Sequence, residues 1–254
     1  MTMLMYHSIS LETGLGRFAL PPGQFAAQME WLKKRGFRGV SVSEGCAERL
    51  GQTGREVVLT FDDGYLDNHQ VVLPILQEHG FGATIFLPTA YVGKANDWED
   101  GVSKLPLMTW PQIEEMAAAG IEFGSHTATH LDLRHADLST IRDELVRSKR
   151  EIEQHTRSSV ASFAYPYGYS RPEIVQILAE AGYRYGLLAG TYGTNTVQWQ
   201  PYELNRLPIW RTDGLTRFAA KVRGWYWWRY YTTKLNNETR WLAKRIYRSL
   251  RSGH

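Results

Sequence analysis

Cysteine is almost missing from this 254-residue chain. Cys46 stands alone, so an intrachain disulfide framework and a cysteine-built metal cluster are both excluded. A single thiol of this kind reads as a small buried hydrophobe. No stretch approaches the roughly 18 consecutive apolar residues that a bilayer-spanning helix needs. The first residues, Met1-Thr2-Met3-Leu4-Met5-Tyr6-His7, lack a basic start and a long apolar run. A secretory signal is therefore not expected, and a cytoplasmic location is. Internal repeats and low-complexity linkers are absent too. What remains is ordinary for a soluble globular protein, with 43% hydrophobic and 22% charged residues. The length suits one α/β barrel or two small domains.

The net charge of +3 conceals two unlike parts. From Lys221 onward there are nine Lys or Arg and one Glu, so the preceding 220 residues carry −5. The basic end is also aromatic, with Trp225-Tyr226-Trp227-Trp228-Arg229-Tyr230-Tyr231. Beyond it, Leu235, Leu242, Ala243, Ile246 and Leu250 share one helical face, while Lys244, Arg245, Arg248 and Arg251 lie largely opposite. This pattern fits a helix lying on an anionic membrane surface through residues 221–251. It would give the protein a peripheral position on the inner face of the plasma membrane. Packing on the body is the second reading, and single-stranded nucleic acid ranks last. The division expected is a body of residues 1–214 and a basic amphipathic tail of residues 215–254.

Along the body, strand and helix patterns alternate. Strands are predicted over Met3–Tyr6, Arg38–Val42, Val57–Phe61, Gly82–Leu87, Ile121–Phe123, Val160–Tyr165, Tyr183–Ala189 and Leu204–Trp210. Helices are predicted between them: from Pro22 to a stop at Gly36, over Asp67–His79 with Pro74 inside, and from a capping box at Thr109 and Gln112. Two more run over Ser139–His155 and Glu173–Ala181. Residues 88–107 form a long loop, a length usually functional or disordered. The alternation argues a parallel sheet. Seven to eight such units in roughly 210 residues suit a distorted or incomplete (β/α) barrel, with a basic aromatic helical tail.

In a parallel barrel the chemistry collects at the C-terminal strand ends. Four polar groups sit there: His7, Asp62-Asp63, Ser125-His126, and Tyr165-Pro166-Tyr167-Gly168. Two adjacent carboxylates after an apolar strand repel each other and lose water, and a cation relieves both costs. The alternative for that stretch alone is a strand ending in an Asp-Gly turn. His126 and His130, four apart, would fall on one side of a helical turn and reach one cation. Imidazole suits Zn²⁺, Co²⁺, Ni²⁺ or Fe²⁺, and two His with one Asp leave positions open for water and substrate.

These residues also match a known pattern. Thr60-Phe61-Asp62-Asp63-Gly64 followed by His126-Thr127-Ala128-Thr129-His130 resembles the first two motifs of the polysaccharide deacetylases with a NodB homology domain, carbohydrate esterase family 4. Phe163-Ala164-Tyr165-Pro166-Tyr167-Gly168 looks like the third motif. The resemblance covers about residues 1–210. It implies a distorted barrel and one divalent metal, usually zinc, held by Asp63, His126 and His130. It further implies Asp62 as the general base and the backbone N–H of Tyr167 as a support for the oxyanion.

Two positions depart from the family pattern. Ala164 stands where an arginine usually orients the base. The stretch Leu204-Asn205-Arg206-Leu207-Pro208 lacks the histidine that usually serves as acid. The segment Leu4-Met5-Tyr6-His7-Ser8-Ile9 resembles the permuted subgroup that includes biofilm poly-N-acetylglucosamine deacetylases. There the acid comes from the first strand, which points to His7. The function implied is metal-dependent removal of acetyl groups, N-acetyl first, from a saccharide or lipid-linked saccharide during surface polysaccharide assembly. Two alternatives stay open: hydrolysis of another linear or cyclic amide, and a non-catalytic saccharide-binding or scaffolding role.

Overall fold

The computed structural model describes residues 1–47, 54–98, 101, 103–190 and 200–224. Eight short parallel strands form one sheet. They are β1 (Thr2–Tyr6), β2 (Arg38–Val40), β3 (Glu56–Phe61), β4 (Thr84–Leu87), β5 (Glu122–Ser125), β6 (Ser162–Ala164), β7 (Tyr185–Leu187) and β8 (Leu207–Pro208). Their spatial order is β7-β6-β5-β4-β3-β1-β8, and β2 also pairs with β3. β2 takes the first half of β3, from Arg38 opposite Glu56 to Val40 opposite Val58. β4 joins the second half, with Thr84 opposite Thr60.

The two ends of this order are stitched by one segment. Leu204 exchanges backbone hydrogen bonds with Gly186 and Leu188 beside β7, at 2.8 and 2.9 Å. Three residues on, Leu207 pairs with Leu4 of β1. The sheet therefore curls into the distorted (β/α) barrel that the alternation predicts. β3 reads as buried because it is covered on both faces: Val57, Val58, Leu59 and Phe61 are all buried.

The surrounding helices follow the sequence patterns closely. α1 (Pro22–Lys34) starts on proline, where a missing N–H costs nothing, and buries Phe25, Gln28, Met29 and Leu32. α4 (Trp110–Ala118) carries the expected cap, with Gln112 Oε1 accepting from the Thr109 N–H at 2.9 Å. α5 (Leu138–Thr156) is capped by Asp137, which accepts from the Thr140 N–H. It buries Ile141, Glu144, Leu145, Ser148 and Ile152 at helical spacing. Each of its buried aliphatic side chains contributes about 1.5–3 kcal/mol. α6 (Pro172–Glu180) packs beside it.

Three expectations shift. The strand predicted to reach Val42 ends at Val40, and α2 (Val42–Ala47) begins there. Side chains of β4 and β5 take its first amides: Val42 N–H donates to Thr84 Oγ1 and Ser43 N–H to Glu122 Oε2. The helix predicted over 67–79 opens with a widened π turn at Asn68–Val72 before α3 (Leu73–His79). Pro74 sits in the first turn of α3, so its missing N–H falls where the helix changes its hydrogen-bond register.

The third shift concerns the start of the segment assigned to the tail. Leu215–Val222 forms α7, which buries Phe218, Lys221 and Val222 against the body. Lys221 donates to the Pro208 carbonyl at 2.6 Å and pairs with buried Asp213. The aromatic run from Trp225 and the basic helix after it lie outside the described residues.

Candidate active site and metal centre

Beyond β3 the chain turns sharply. Asp63 and Gly64 both take left-handed backbone angles, φ 73° and 68°. For the non-glycine residue this costs on the order of 1–3 kcal/mol, a strain typical of functional turns. The turn sends the two carboxylates in different directions, to different partners. Asp62, 2% exposed, lies against Arg206 in a two-pronged pair. Arg206 Nη1 donates to Oδ1 at 2.6 Å and Nη2 to Oδ2 at 2.8 Å. Arg206 is itself fully buried. Its remaining contacts are the Leu188 carbonyl at 3.0 Å, Thr60 Oγ1 at 3.1 Å and the face of Phe86. Burial alone raises the pKa of Asp62, but Arg206, with smaller help from His126 and His7, overrides it and brings it down to about 2.

Asp63 faces the two histidines instead. Its Oδ1 lies 3.6 Å from His126 Nε2 and 3.5 Å from His130 Nε2. All three side chains are buried, and their ligand atoms lie within 4.8 Å of one another. His126 Nδ1 is 2.8 Å from the Ala164 carbonyl, which can only accept. That nitrogen therefore carries the hydrogen, and Nε2 presents a lone pair toward Asp63. Burial lowers the pKa of both histidines and keeps them neutral. Two imidazoles beside a carboxylate, beyond hydrogen-bond length, make a donor set that a cation would satisfy. Tetrahedral bonds of about 2.0–2.1 Å put ligand atoms roughly 3.3–3.4 Å apart, close to the separations here. The residues fit a divalent metal.

The expected helical turn between the histidines is not there. Residues 126–130 form a loop in which Thr127 and His130 have φ of 63° and 54°. The rings converge because the loop folds back on itself, with the Leu131 N–H bonded to Thr127 Oγ1 at 3.1 Å. Neighbouring backbone holds it from outside: Ala90, in the turn after β4, donates to the Ala128 carbonyl at 2.8 Å. From the long 88–107 loop, Trp98 stacks on His130 with ring centroids 4.7 Å apart.

The remaining predicted residues line the same cavity of about 750 Å³, which also contains Asp62, Asp63, His126 and His130. His7 packs on Phe18, centroid to centroid 4.6 Å. Burial is the main cause of its pKa falling to about 4, with Asp62 opposing and Arg206 assisting. Tyr167 is left-handed at φ 59° and sets its ring edge on His130 at 4.9 Å. Gly168 follows because a Cβ there would come within 2.8 Å of the Ala189 backbone.

All six sequence-predicted site residues thus meet in one cavity. Arg206 was missed. It pairs with Asp62 from a later stretch of the chain, whereas Ala164 stands where the family pattern has an arginine. An arginine inside the strand predicted over Leu204–Trp210 was the available signal, since a charge in a buried strand demands a partner.

A sequence model of the polysaccharide deacetylase family matches residues 50–186. The chain belongs to that family. The match contains Asp62, Asp63, His126, His130 and Tyr167, but neither His7 nor Arg206. The Bacillus subtilis protein YxkH, placed in the same family by its name, is 30% identical over 188 residues, covering 73% of this chain and 63% of its own. A poly-β-1,6-N-acetyl-D-glucosamine N-deacetylase of Staphylococcus aureus is 26% identical over 180 residues, covering 66% of this chain and 60% of that enzyme. The chain thus spans somewhat under two thirds of the length of these relatives. The crystal structure of a Bacillus cereus polysaccharide deacetylase superposes with a TM-score of 0.74 at 26% identity, covering 87% of this chain and 68% of that one.

Proposed function

We propose that this polysaccharide deacetylase family member is a metal-dependent hydrolase that removes N-acetyl groups from a saccharide or lipid-linked saccharide. The observation that carries the proposal is the division of labour between adjacent carboxylates. Asp63 faces two neutral histidines, while Asp62 is turned away and held ionised by Arg206.

Asp63, His126 and His130 would hold the metal. When bound, a divalent cation supplies Lewis acidity, acidifying water and polarising an acyl oxygen. Asp62 then takes the proton of the attacking water. Its low pKa makes it a weak base, adequate only because the water is acidified, and keeps it ionised throughout the working range. Tyr167 offers its backbone N–H to the acyl oxygen as charge develops there. His7 rests neutral. As negative charge arises in the pocket His7 takes up a proton from solvent, passes it to the departing nitrogen and is neutral again, while Asp62 releases the proton taken from water to solvent when the products leave. The aromatic walls from Phe18, Trp98 and Tyr167 suit the apolar faces of sugar rings.

The test is acetate release from N-acetylated glucosamine oligosaccharides. Release should be abolished by a chelator and restored by stoichiometric zinc, cobalt or nickel. Chelator-insensitive release, or metal bound with no acetate released from any acetylated saccharide, would overturn the reading.

A further inference from the structure

The loop that carries both histidines has little regular structure of its own, and a side chain from another element holds it. Glu144 lies on the buried face of α5, 8% exposed. Its Oε2 accepts from two successive backbone amides, Ala128 N–H at 2.8 Å and Thr129 N–H at 2.7 Å. Its Oε1 accepts from the Thr129 hydroxyl at 3.1 Å. Successive amides converging on one oxygen form an anion-binding concavity. Here the protein's own carboxylate fills it. The amides belong to the midpoint of the His126–His130 loop, between the left-handed residues Thr127 and His130.

The loop's other backbone groups are held by ordinary ties. His126 N–H donates to the Leu87 carbonyl and Thr127 N–H to Ser125 Oγ. The Thr127 and Ala128 carbonyls accept from Thr89 and Ala90. Only the central amides depend on a charged group brought in from a helix, and charge-assisted hydrogen bonds are the strong ones.

We propose that Glu144 is a positioning residue for the metal centre: it clamps the loop so that His126 and His130 stand at ligand spacing before any metal arrives. This rests on the metal reading given above. Without the carboxylate, one buried and one half-buried amide lose their acceptor and the left-handed turns lose their restraint. The imidazoles would then have to be gathered at the moment of binding. Supporting residues around metal ligands typically change metal affinity by about 10–100-fold when removed.

The experiment is a zinc titration against a competing chromophoric chelator, with hydrogen exchange of the Ala128 and Thr129 amides in the metal-free protein. Glu144→Ala should raise the zinc dissociation constant by about 10–100-fold and speed exchange at both amides. Glu144→Gln keeps an acceptor oxygen in place and should stay near the parent. Glu144→Asp keeps the charge but falls short of the loop, so it should behave like Ala; it also serves if the Ala variant fails to fold. Ile152→Ala, on the same buried face but away from the loop, should lower stability and leave zinc affinity unchanged. Unaltered zinc affinity in both Glu144→Ala and Glu144→Asp would overturn the clamp. So would an equal loss in Ile152→Ala. A parent protein that binds no zinc would overturn the metal reading and the clamp with it.

Discussion

Arg206 is the counterion that holds the buried carboxylate of Asp62. Breaking a buried ion pair from one side leaves an uncompensated charge, at a cost of about 3–5 kcal/mol. Arg206→Ala should lose that much stability in denaturant unfolding, and burial should then push Asp62 toward its protonated form. A loss below about 1 kcal/mol would mean that water replaces the guanidinium. His7 calls for a different measurement. His7→Ala should leave zinc binding intact and slow release of acetate from N-acetyl substrates by on the order of 10²–10⁴. An activated aryl acetate ester needs little protonation of its leaving group and should be far less affected; equal losses on both would reduce His7 to a structural part of the wall. The motif residues were legible because adjacent carboxylates at a strand end and paired histidines are costly without a cation. The pairing of Arg206 with Asp62 and of Glu144 with the loop amides was not. Each lies far along the chain from its partner, 144 and 15–16 residues away, and neither spacing forms a local pattern.

At the scale of elements, strand and helix periodicity located every strand, but not the ends. β2 ends early and α2, which the sequence reading does not contain, begins at Val42 because Thr84 and Glu122 take its first amides from other strands, a tertiary event with no local trace. The histidine loop was read as helical from spacing alone, since the competing ties from Glu144 and Ala90 are likewise tertiary. α7 carries a direct consequence. Truncation after Gly224 keeps α7 and serves as the reference. Truncation after Asp213 removes Phe218 from the core and strips buried Asp213 of Lys221. It should cost at least about 3–5 kcal/mol, the scale of either loss alone. Equal melting temperatures for the two truncations would show that α7 adds nothing to the barrel.

For the whole molecule, the site makes stability depend on pH in two separate windows. His7, His126 and His130 have pKa values below 6.5 in the folded state. The unfolded chain therefore binds more protons as pH drops below 6.5, and stability declines, for His7 down to about pH 4. Asp62 acts lower: its contribution is complete above about 3.8 and is lost as pH falls toward about 2. Metal-free protein should thus lose stability between pH 6.5 and 4, and the slope should flatten in a His7→Gln, His126→Gln double variant. An unchanged slope would place these histidines in water rather than in the barrel.

The stitch between β7 and β1 gives synthesis a bearing on activity. Asp62 emerges early, whereas Arg206 follows only after four further strands, in the segment that draws the barrel's two margins together. A nascent or clipped chain that buries its first strands before that segment arrives shelters a carboxylate with no counterion. Such a carboxylate takes up a proton and has no basicity to offer. On the proposed mechanism, turnover requires closure of the ring, because only that closure brings Arg206 to Asp62.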